Sequence, residues 1–202
     1  MSENVPGSAE KIDRRVVRTR DRLGDALIAL LLEKSFDDVT VQDVLDRAGV
    51  SRSTFYAHYR DKNDLFLSDV DQFLESMATL LERSGDRSGR VAPVGEFFMH
   101  IAESRDLYWV MVESGRIHDL RELGEAHFAR GIEDRLVSRA PTLTKQQRAI
   151  HAHALAGSIF SLLTWWVNHG MTPSARDMDQ QFHSQLAWSV KKRANPDRPW
   201  SV

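Results

Sequence analysis

The sequence predicts an all-α protein with a three-helix helix-turn-helix domain at its amino terminus and a larger helical domain at its carboxy terminus. Apolar residues recur at helical spacing over nearly the whole chain, and the sequence has neither a convincing alternating strand nor an Asn-Gly hairpin turn. Two short helical patterns meet at Ala48-Gly49-Val50-Ser51, which is the layout of a helix-turn-helix. A polar stretch with two glycines, 84–90, is the clearest linker.

The composition is that of an ordinary globular protein. The chain has 202 residues, of which 42% are hydrophobic and 28% charged, so it is long enough for two small domains. It has no cysteine, which excludes disulfides, thiolate zinc sites and cysteine nucleophiles. A formal net charge of −2 argues against a protein that coats nucleic acid through bulk charge.

No targeting segment or membrane span is predicted, so we expect a cytoplasmic protein. The first ten residues are acidic and contain no hydrophobic stretch, unlike a signal peptide. The longest apolar run, 155–167, is interrupted by small polar residues and is too short to cross a bilayer.

The first helix, predicted from about residue 13 to 34, carries a local excess of positive charge. Six basic residues and two acidic ones lie between Lys11 and Arg22. Arg14, Arg18 and Arg22 are four residues apart and therefore share a helix face. A basic surface on a nearly neutral protein suits a partner that touches one end only. A plain solvated face explains this feature equally well.

Capping residues delimit the next helices. Thr40 and Asp43 have the spacing of a capping box, and Gly49 suits the left-handed exit from the second helix. Ser51 is placed to cap a third helix over about 52–59, and Asp61 a fourth. The second helix of such a pair presents its outer face to the major groove of DNA.

The third helix has a face that suits the major groove. Phe55 and Tyr59 fall on its inner side, whereas the residues on the outer side are polar and can pair with base edges. These candidate DNA-binding residues are Arg52, Ser53, Thr54, Tyr56 and His58.

Residues 14–62 resemble the amino-terminal domain of TetR-type (TetR/AcrR) transcriptional regulators. The resemblance lies in Thr40-Val41-Gln42-Asp43-Val44, Ala48-Gly49-Val50-Ser51, Thr54-Phe55-Tyr56-Ala57-His58-Tyr59 and Lys62. It implies that the five outer residues line a recognition helix and that Thr40 and Lys62 bind phosphates. Free N–H groups and positive potential at helix N-termini give the same role to those two residues.

The sequence leaves simpler alternatives open for some of these assignments. Thr40 can serve only as a helix cap and His58 only as a packing residue. Ala57 is small where some members of the family carry a larger contacting side chain, so base specificity does not transfer.

The predicted division of the chain has five parts. They are a disordered tail (1–12), the helix-turn-helix domain (13–62), a connecting helix (63–83), a dimerisation and ligand-binding domain (84–193) and a frayed tail (194–202).

Two helices near the carboxy terminus are candidates for a dimer interface. Small residues around Gly157 permit close helix approach, and Phe182 and Leu186 recur at a step of four in the last helix. Thr164-Trp165-Trp166-Val167 weakly resembles part of a TetR subgroup. A homodimer is expected because a helix-turn-helix reader needs two copies to reach two half-sites. A core within one subunit is the alternative.

Large aromatic and amphipathic residues suggest a cavity for a small apolar ligand, the usual kind of site between packed helices. The candidates are Phe98, Trp109, Met111, His127, Phe128 and Trp165. Ordinary core packing is the alternative for each of them.

The sequence favours a regulator of transcription over an enzyme. His151 and His153 are two apart, about 200° around a helix, so they cannot grip one metal. No phosphate loop, nucleophile elbow or HExxH occurs, so neither metal nor cofactor is expected. The favoured function is a ligand-responsive repressor that binds a palindromic double-stranded operator as a homodimer. The alternatives are a helical interaction protein and a regulator without a small-molecule inducer.

Overall fold

The computed structural model describes residues 8–193, with side chains over 14–185. Over that range the chain forms ten helices and no strand, which confirms the all-α prediction. The helices are α1 (Ser8–Leu31), α2 (Val41–Ala48), α3 (Arg52–Tyr56), α4 (Lys62–Ala78), α5 (Leu80–Arg83), α6 (Val94–Glu103), α7 (Arg105–Glu113), α8 (Ile117–Arg139), α9 (Lys145–Asn168) and α10 (Ala175–Arg193).

The helices are distributed between two compact units. The first extends to Asp71 and also contains Asp106–Ile117, and the second comprises Gln72–Arg105 and the chain from His118 onwards. The predicted boundaries at 62 and 83 differ from this division, which falls after Asp71 and also returns 106–117 to the first unit. That return depends on contacts far apart in sequence, which a helical pattern does not reveal.

The amino-terminal helix is longer than expected. It begins at Ser8, whereas the sequence assigned 1–12 to a disordered tail. Residues 1–7 and the predicted frayed tail, 194–202, lie outside the described residues.

The core of the first unit is built from the apolar faces of α1 to α4. Ion pairs join the turn after α1 to α2 beside this core, with Lys34 Nζ 2.7 Å from Asp43 and Arg47 2.7 Å from Glu33. The side chains with less than 2% exposure in this core include Leu23, Leu27, Val39, Val44, Phe55, Leu65 and Phe66.

Arg116 attaches the returning segment to this unit. Its guanidinium lies 4.0 Å from the centroid of the Phe36 ring and 5.7 Å from that of Phe66, and it donates a hydrogen bond to Asn63 Oδ1. Cation–π contacts of this kind stabilise by about 0.5–2 kcal/mol, depending on how far the cation is desolvated. The contact explains why 106–117 belongs to the unit that holds the helix-turn-helix.

The second unit has an aromatic core. Phe97 lies 5.0 Å from Phe128 and 5.5 Å from Phe160 between ring centroids, and Phe98 lies 5.0 Å from Trp166. Such tilted and edge-on ring pairs contribute about 0.5–1.5 kcal/mol each beyond the area that they bury. The predicted carboxy-terminal helical domain therefore has a closed apolar centre.

The predicted linker at 84–90 is a turn fixed by charge. Arg90 pairs with Asp86 at 2.6 Å and with Glu96 at 2.9 Å, and Arg135 donates to the carbonyl oxygens of Asp86 and Arg90. Hydrogen bonds from Ser88 and from Arg90 hold the pKa of Asp86 below its usual range. The composition of this stretch is that of a linker, but its side chains cross-link it.

One core helix is long and apolar. Helix α9 reaches a mean hydropathy of 1.2 and could cross a membrane by length and composition, although the predicted apolar run was shorter. Residues Ala152, Ile159 and Leu163 of this helix are buried at 0–2% exposure. Core helices of soluble proteins pass the same test, so the feature is weak evidence for a membrane protein.

Candidate nucleic-acid interface

The first helix of the helix-turn-helix, α2, is fixed at both ends. Thr40 Oγ1 accepts from the Asp43 backbone N–H at 3.1 Å, and the Asp43 carboxylate accepts from the Thr40 N–H at 2.8 Å, forming the predicted capping box. Hydrogen bonds from Lys34 and then from Thr40 hold the pKa of Asp43 well below its usual range. Gly49 closes the helix with φ +61°, the left-handed region that glycine enters without a Cβ clash.

Two arginines of α1 hold the turn and the end of the motif. Arg22 donates to the carbonyl oxygens of Ala48 and Gly49, which are the last acceptors of α2. Arg20 donates to the Tyr59 hydroxyl at 3.1 Å and to Ser68 at 2.8 Å. The sequence indicated these residues only as part of a basic segment, but they position the helix-turn-helix.

The predicted recognition helix is present but short. Helix α3 covers Arg52–Tyr56, and a turn carries the chain through 57–59, where a single helix over 52–59 was predicted. The Ser51 hydroxyl accepts from the Thr54 N–H and caps the helix, as expected. Phe55 and Tyr59 are buried at 0% and 6% exposure, so their rings anchor α3 to the core.

The candidate base-reading residues occupy α3 and the turn after it. Arg52 and Ser53 are exposed, and Tyr56 is 51% exposed. Thr54 is half-buried with its hydroxyl 2.7 Å from Ser51 Oγ, and His58 is half-buried beside the Tyr59 ring. Three of the five predicted side chains therefore form the outer face, and the other two lie at its edge.

Gln42 also lies at this face, and the sequence-based assignment did not include it. Its Oε1 accepts a hydrogen bond from Arg52 Nη2 at 2.8 Å, and its Nε2 donates to Asp46 at 2.7 Å. The feature of the sequence that could have identified Gln42 is a polar residue in the first turn of α2, away from the buried stripe of that helix. The face therefore spans both helices of the motif.

Lys62 has a different environment from the one predicted. Its ammonium donates to the carbonyl oxygens of Phe36, Asp37 and Val39 at 2.7, 3.1 and 2.6 Å and lies 4.8 Å from the centroid of the Phe36 ring. An ammonium has three N–H donors, so these carbonyls occupy all of them. Lys62 fixes the turn before α2 in this structure and has no donor left for a phosphate.

Thr40 is exposed, but its hydroxyl donates to the Asp43 carboxylate at 2.7 Å. The structure therefore supports the helix-cap alternative for Thr40 in the DNA-free chain. A phosphate would have to compete with that carboxylate for the hydroxyl proton.

The six predicted ligand residues are divided between the two units. Trp109 and Met111 lie in the first unit, while Phe98 and Phe128 are closed inside the aromatic core of the second. Trp165 is 46% exposed and stacks on His169 at 4.5 Å between ring centroids. Large aromatic rings pack against one another as readily as they line a cavity, so their presence in the sequence did not distinguish the two.

Only His127, among those six, lines a cavity that we identified in the second unit. This groove has a volume of about 80 Å³ and is bordered mainly by charged and polar side chains. Its lining residues are Glu75, Ala78, Thr79, Glu82, His127, Arg130, Gly131, Asp134 and Arg135.

The three residues predicted at the dimer interface differ in their environments. Phe182 is 2% exposed and packs inside its own unit, so little of its ring is free to contact a second subunit. Gly157 is half-buried, and a Cβ added to it would meet no atom within 4 Å. Leu186 lies outside the residues whose side chains the structure describes.

Comparison with known proteins agrees with this geometry. Residues 23–68 match the family described as bacterial regulatory proteins, tetR family. The chain is 30% identical over 201 residues to YxbF of Bacillus subtilis, an uncharacterised HTH-type transcriptional regulator, covering 93% of this chain and 50% of YxbF. It is 24% identical over 199 residues to the HTH-type transcriptional activator FasR of Mycolicibacterium smegmatis, covering 92% of this chain and 90% of FasR.

A solved TetR transcriptional regulator from Streptococcus agalactiae shares the fold. Its TM-score is 0.60 at 22% identity, and the superposition covers 89% of this chain and 99% of that structure. The chain thus matches nearly all of this structure and half the length of YxbF.

An all-helical fold with a polar face on a braced helix-turn-helix defines a DNA-binding regulator. The match of residues 23–68 to the tetR family of bacterial regulatory proteins agrees with the resemblance that residues 14–62 predicted. The relatives matched here are transcription regulators, which agrees with the prediction that the chain is not an enzyme.

Proposed function

We propose that this protein is a cytoplasmic repressor that binds a palindromic DNA operator as a homodimer and responds to a small, largely apolar ligand. The observation that carries the DNA-binding part is the face formed by Arg52, Ser53 and Tyr56, which is exposed although Phe55 beneath it is fully buried. A rigidly anchored polar helix face fits the donor and acceptor pattern of the major groove.

A partly exposed stripe on α9 supports the homodimer. Ala154, Gly157 and Ser161 follow one another at steps of three and four, so they share a face and permit close helix approach. Ile150 and Trp165 lie near the two ends of this stripe and are 61% and 46% exposed. Large exposed apolar side chains beside small ones are typical of a surface that another subunit covers.

Repression needs only occupancy of a promoter, since a bound dimer blocks polymerase without further parts. FasR is named an activator, so repression has to be distinguished from activation by experiment. In vitro transcription from a template that carries the operator makes this distinction. The proposal expects fewer transcripts as protein is added. More transcripts would assign the protein to the activators instead.

Ligand response would act through the second unit. Helix α4 belongs to both units, so a displacement of its second half can reach the helix-turn-helix. The groove of about 80 Å³ is smaller than the roughly 300–1,000 Å³ typical of ligand pockets. We infer that an apolar ligand binds by opening the aromatic core around Phe97 and Phe128.

The DNA-binding proposal is tested by mobility shift on genomic fragments at rising salt. We compare the wild-type protein with Arg52→Ala/Tyr56→Ala and with the control Arg176→Ala, which changes an exposed arginine of the second unit. The proposal expects a few fragments to persist at high salt with wild type and control, and none with the double variant. Equal retention of all fragments by the three proteins would contradict it.

A further inference from the structure

Within α1, residues 14–20 contribute little to the core. From Leu23 onwards the buried apolar residues of this helix have at most 5% exposure, whereas Val17 is 47% exposed. Arg14, Arg15 and Arg18 are exposed as well. This basic segment, residues 14–18, has three arginines and no acidic residue in a chain whose net charge is −2.

The contacts of α1 fix the direction in which the basic segment extends. Lys34, three residues after the end of α1, pairs with Asp43 near the start of α2, while Arg22 within α1 reaches the carbonyls of Ala48 and Gly49 at the end of α2. The two helices therefore run in opposite directions. The basic segment continues past the turn that leads into α3.

The arginines also face the same way as the residue that grips this turn. Arg15 and Arg18 precede Arg22 by seven and four residues, which places them within about 40° of it around the helix. Along the helix axis, Arg15 lies about 10 Å and Arg18 about 6 Å from Arg22, toward the N-terminus of α1. The row of three guanidinium groups thus begins at the entry to α3 and continues outward from it.

We propose that the basic segment is a second DNA-binding surface, in which Arg15 and Arg18 contact backbone phosphates that flank the major groove occupied by α3. The inference rests on the proposed function. A helix in the major groove has a phosphate backbone on each side, and duplex DNA presents about one negative charge per 1.7 Å. Guanidinium groups bind phosphates strongly through paired N–H donors.

The test is the salt dependence of operator affinity for the full-length protein. We compare wild type with Arg15→Ala/Arg18→Ala, with Arg15→Lys/Arg18→Lys, and with the control Arg139→Ala/Arg176→Ala, which removes the same charge from exposed positions of the second unit. Alanine is a strong helix former, so α1 is retained, and circular dichroism checks it.

Loss of two phosphate contacts should reduce the slope of log K against log salt by about 1.8. Between 50 and 200 mM salt the wild type should therefore lose about 12-fold more affinity than the alanine variant. The lysine variant and the control should keep the wild-type slope, because they keep both positive charges of the basic segment.

A wild-type slope in the alanine variant would overturn the inference and leave the proposed function intact. Loss of the slope in the lysine variant as well would overturn the assignment to phosphates. Absence of operator binding by the wild type itself would overturn the proposed function and this inference together.

Discussion

Arg52 Nη2 donates a hydrogen bond to Gln42 Oε1 across 2.8 Å and so joins the recognition helix to the helix before it. Gln42 is itself held by Asp46. A long arginine side chain loses rotamer freedom when it binds a base, and part of that cost is removed if the side chain is ordered beforehand. The pair is therefore a pre-organised element of the candidate reading face.

The first prediction concerns base preference. If Arg52 makes a bidentate contact to guanine, Arg52→Ala should cost about 1–3 kcal/mol and relax discrimination at one base pair of each half-site. Gln42→Ala should weaken discrimination at the same base pair by less. The measurement is affinity for a set of single-base-pair operator variants, with the exposed Gln180→Ala as a control. If the two substitutions changed discrimination at different base pairs, the proposed coupling between Gln42 and Arg52 would be contradicted.

The second prediction separates a structural role of Lys62 from phosphate binding. Lys62→Met keeps an apolar stem but removes the donors to three backbone carbonyls, so the free energy of unfolding should fall by about 1–3 kcal/mol. Urea unfolding measures this, with the exposed Lys145→Met as the control. Unchanged stability together with a smaller salt slope would instead support the phosphate contact.

The third prediction is an acid-dependent loss of the α2 cap. The pKa of Asp43 is held below its ordinary value of 3.8, mainly by Lys34 and Thr40. A carboxylate with a lowered folded-state pKa stabilises the fold above that ordinary value, and its contribution disappears as the pH falls through the folded-state pKa. Asp43→Asn should thus be less stable than wild type at pH 6, and the difference should narrow by pH 3. A difference that does not change with pH would contradict this account.

The fourth prediction uses two glycines with opposite surroundings. A Cβ added at Gly157 would meet no atom of its own subunit within 4 Å, so Gly157→Leu should leave the fold intact but give monomers by wedging the subunits apart. A Cβ at Gly124 would overlap the Phe160 ring, so Gly124→Ala should lower stability by about 1–3 kcal/mol through overpacking. Sedimentation and thermal unfolding together measure both effects. A dimeric Gly157→Leu variant would exclude the α9 stripe as the interface.

Local patterns predicted most of the helix-turn-helix. The capping box of Thr40 and Asp43, the left-handed Gly49 and the Ser51 cap depend on residues a few positions apart, and each is present. The inward side of α3 followed from helical periodicity, and Phe55 is buried as expected. These features can be predicted from the sequence because the interacting residues lie within one or two helical turns of each other.

Interactions between distant residues account for what the sequence missed. Lys62 donates hydrogen bonds to the turn at 36–39, and Arg116 packs on the ring of Phe36. These partners are too far apart in the sequence for helical periodicity to indicate them. Phe182 has the spacing of an interface residue, but a buried stripe has the same pattern whether it faces another subunit or its own core. The aromatic residues of the second unit were ambiguous for the same reason.

Selection of DNA from a random pool by the purified protein tests the central claim most directly. If α3 reads the major groove in a homodimer, the enriched sequences should share an inverted repeat whose half-sites lie about one helical turn apart. Tyr56→Ala, prepared in parallel, should enrich the repeat weakly or not at all. Enrichment of no common sequence by the folded wild type, or of a motif that Tyr56→Ala and Arg52→Ala enrich equally well, would contradict the account.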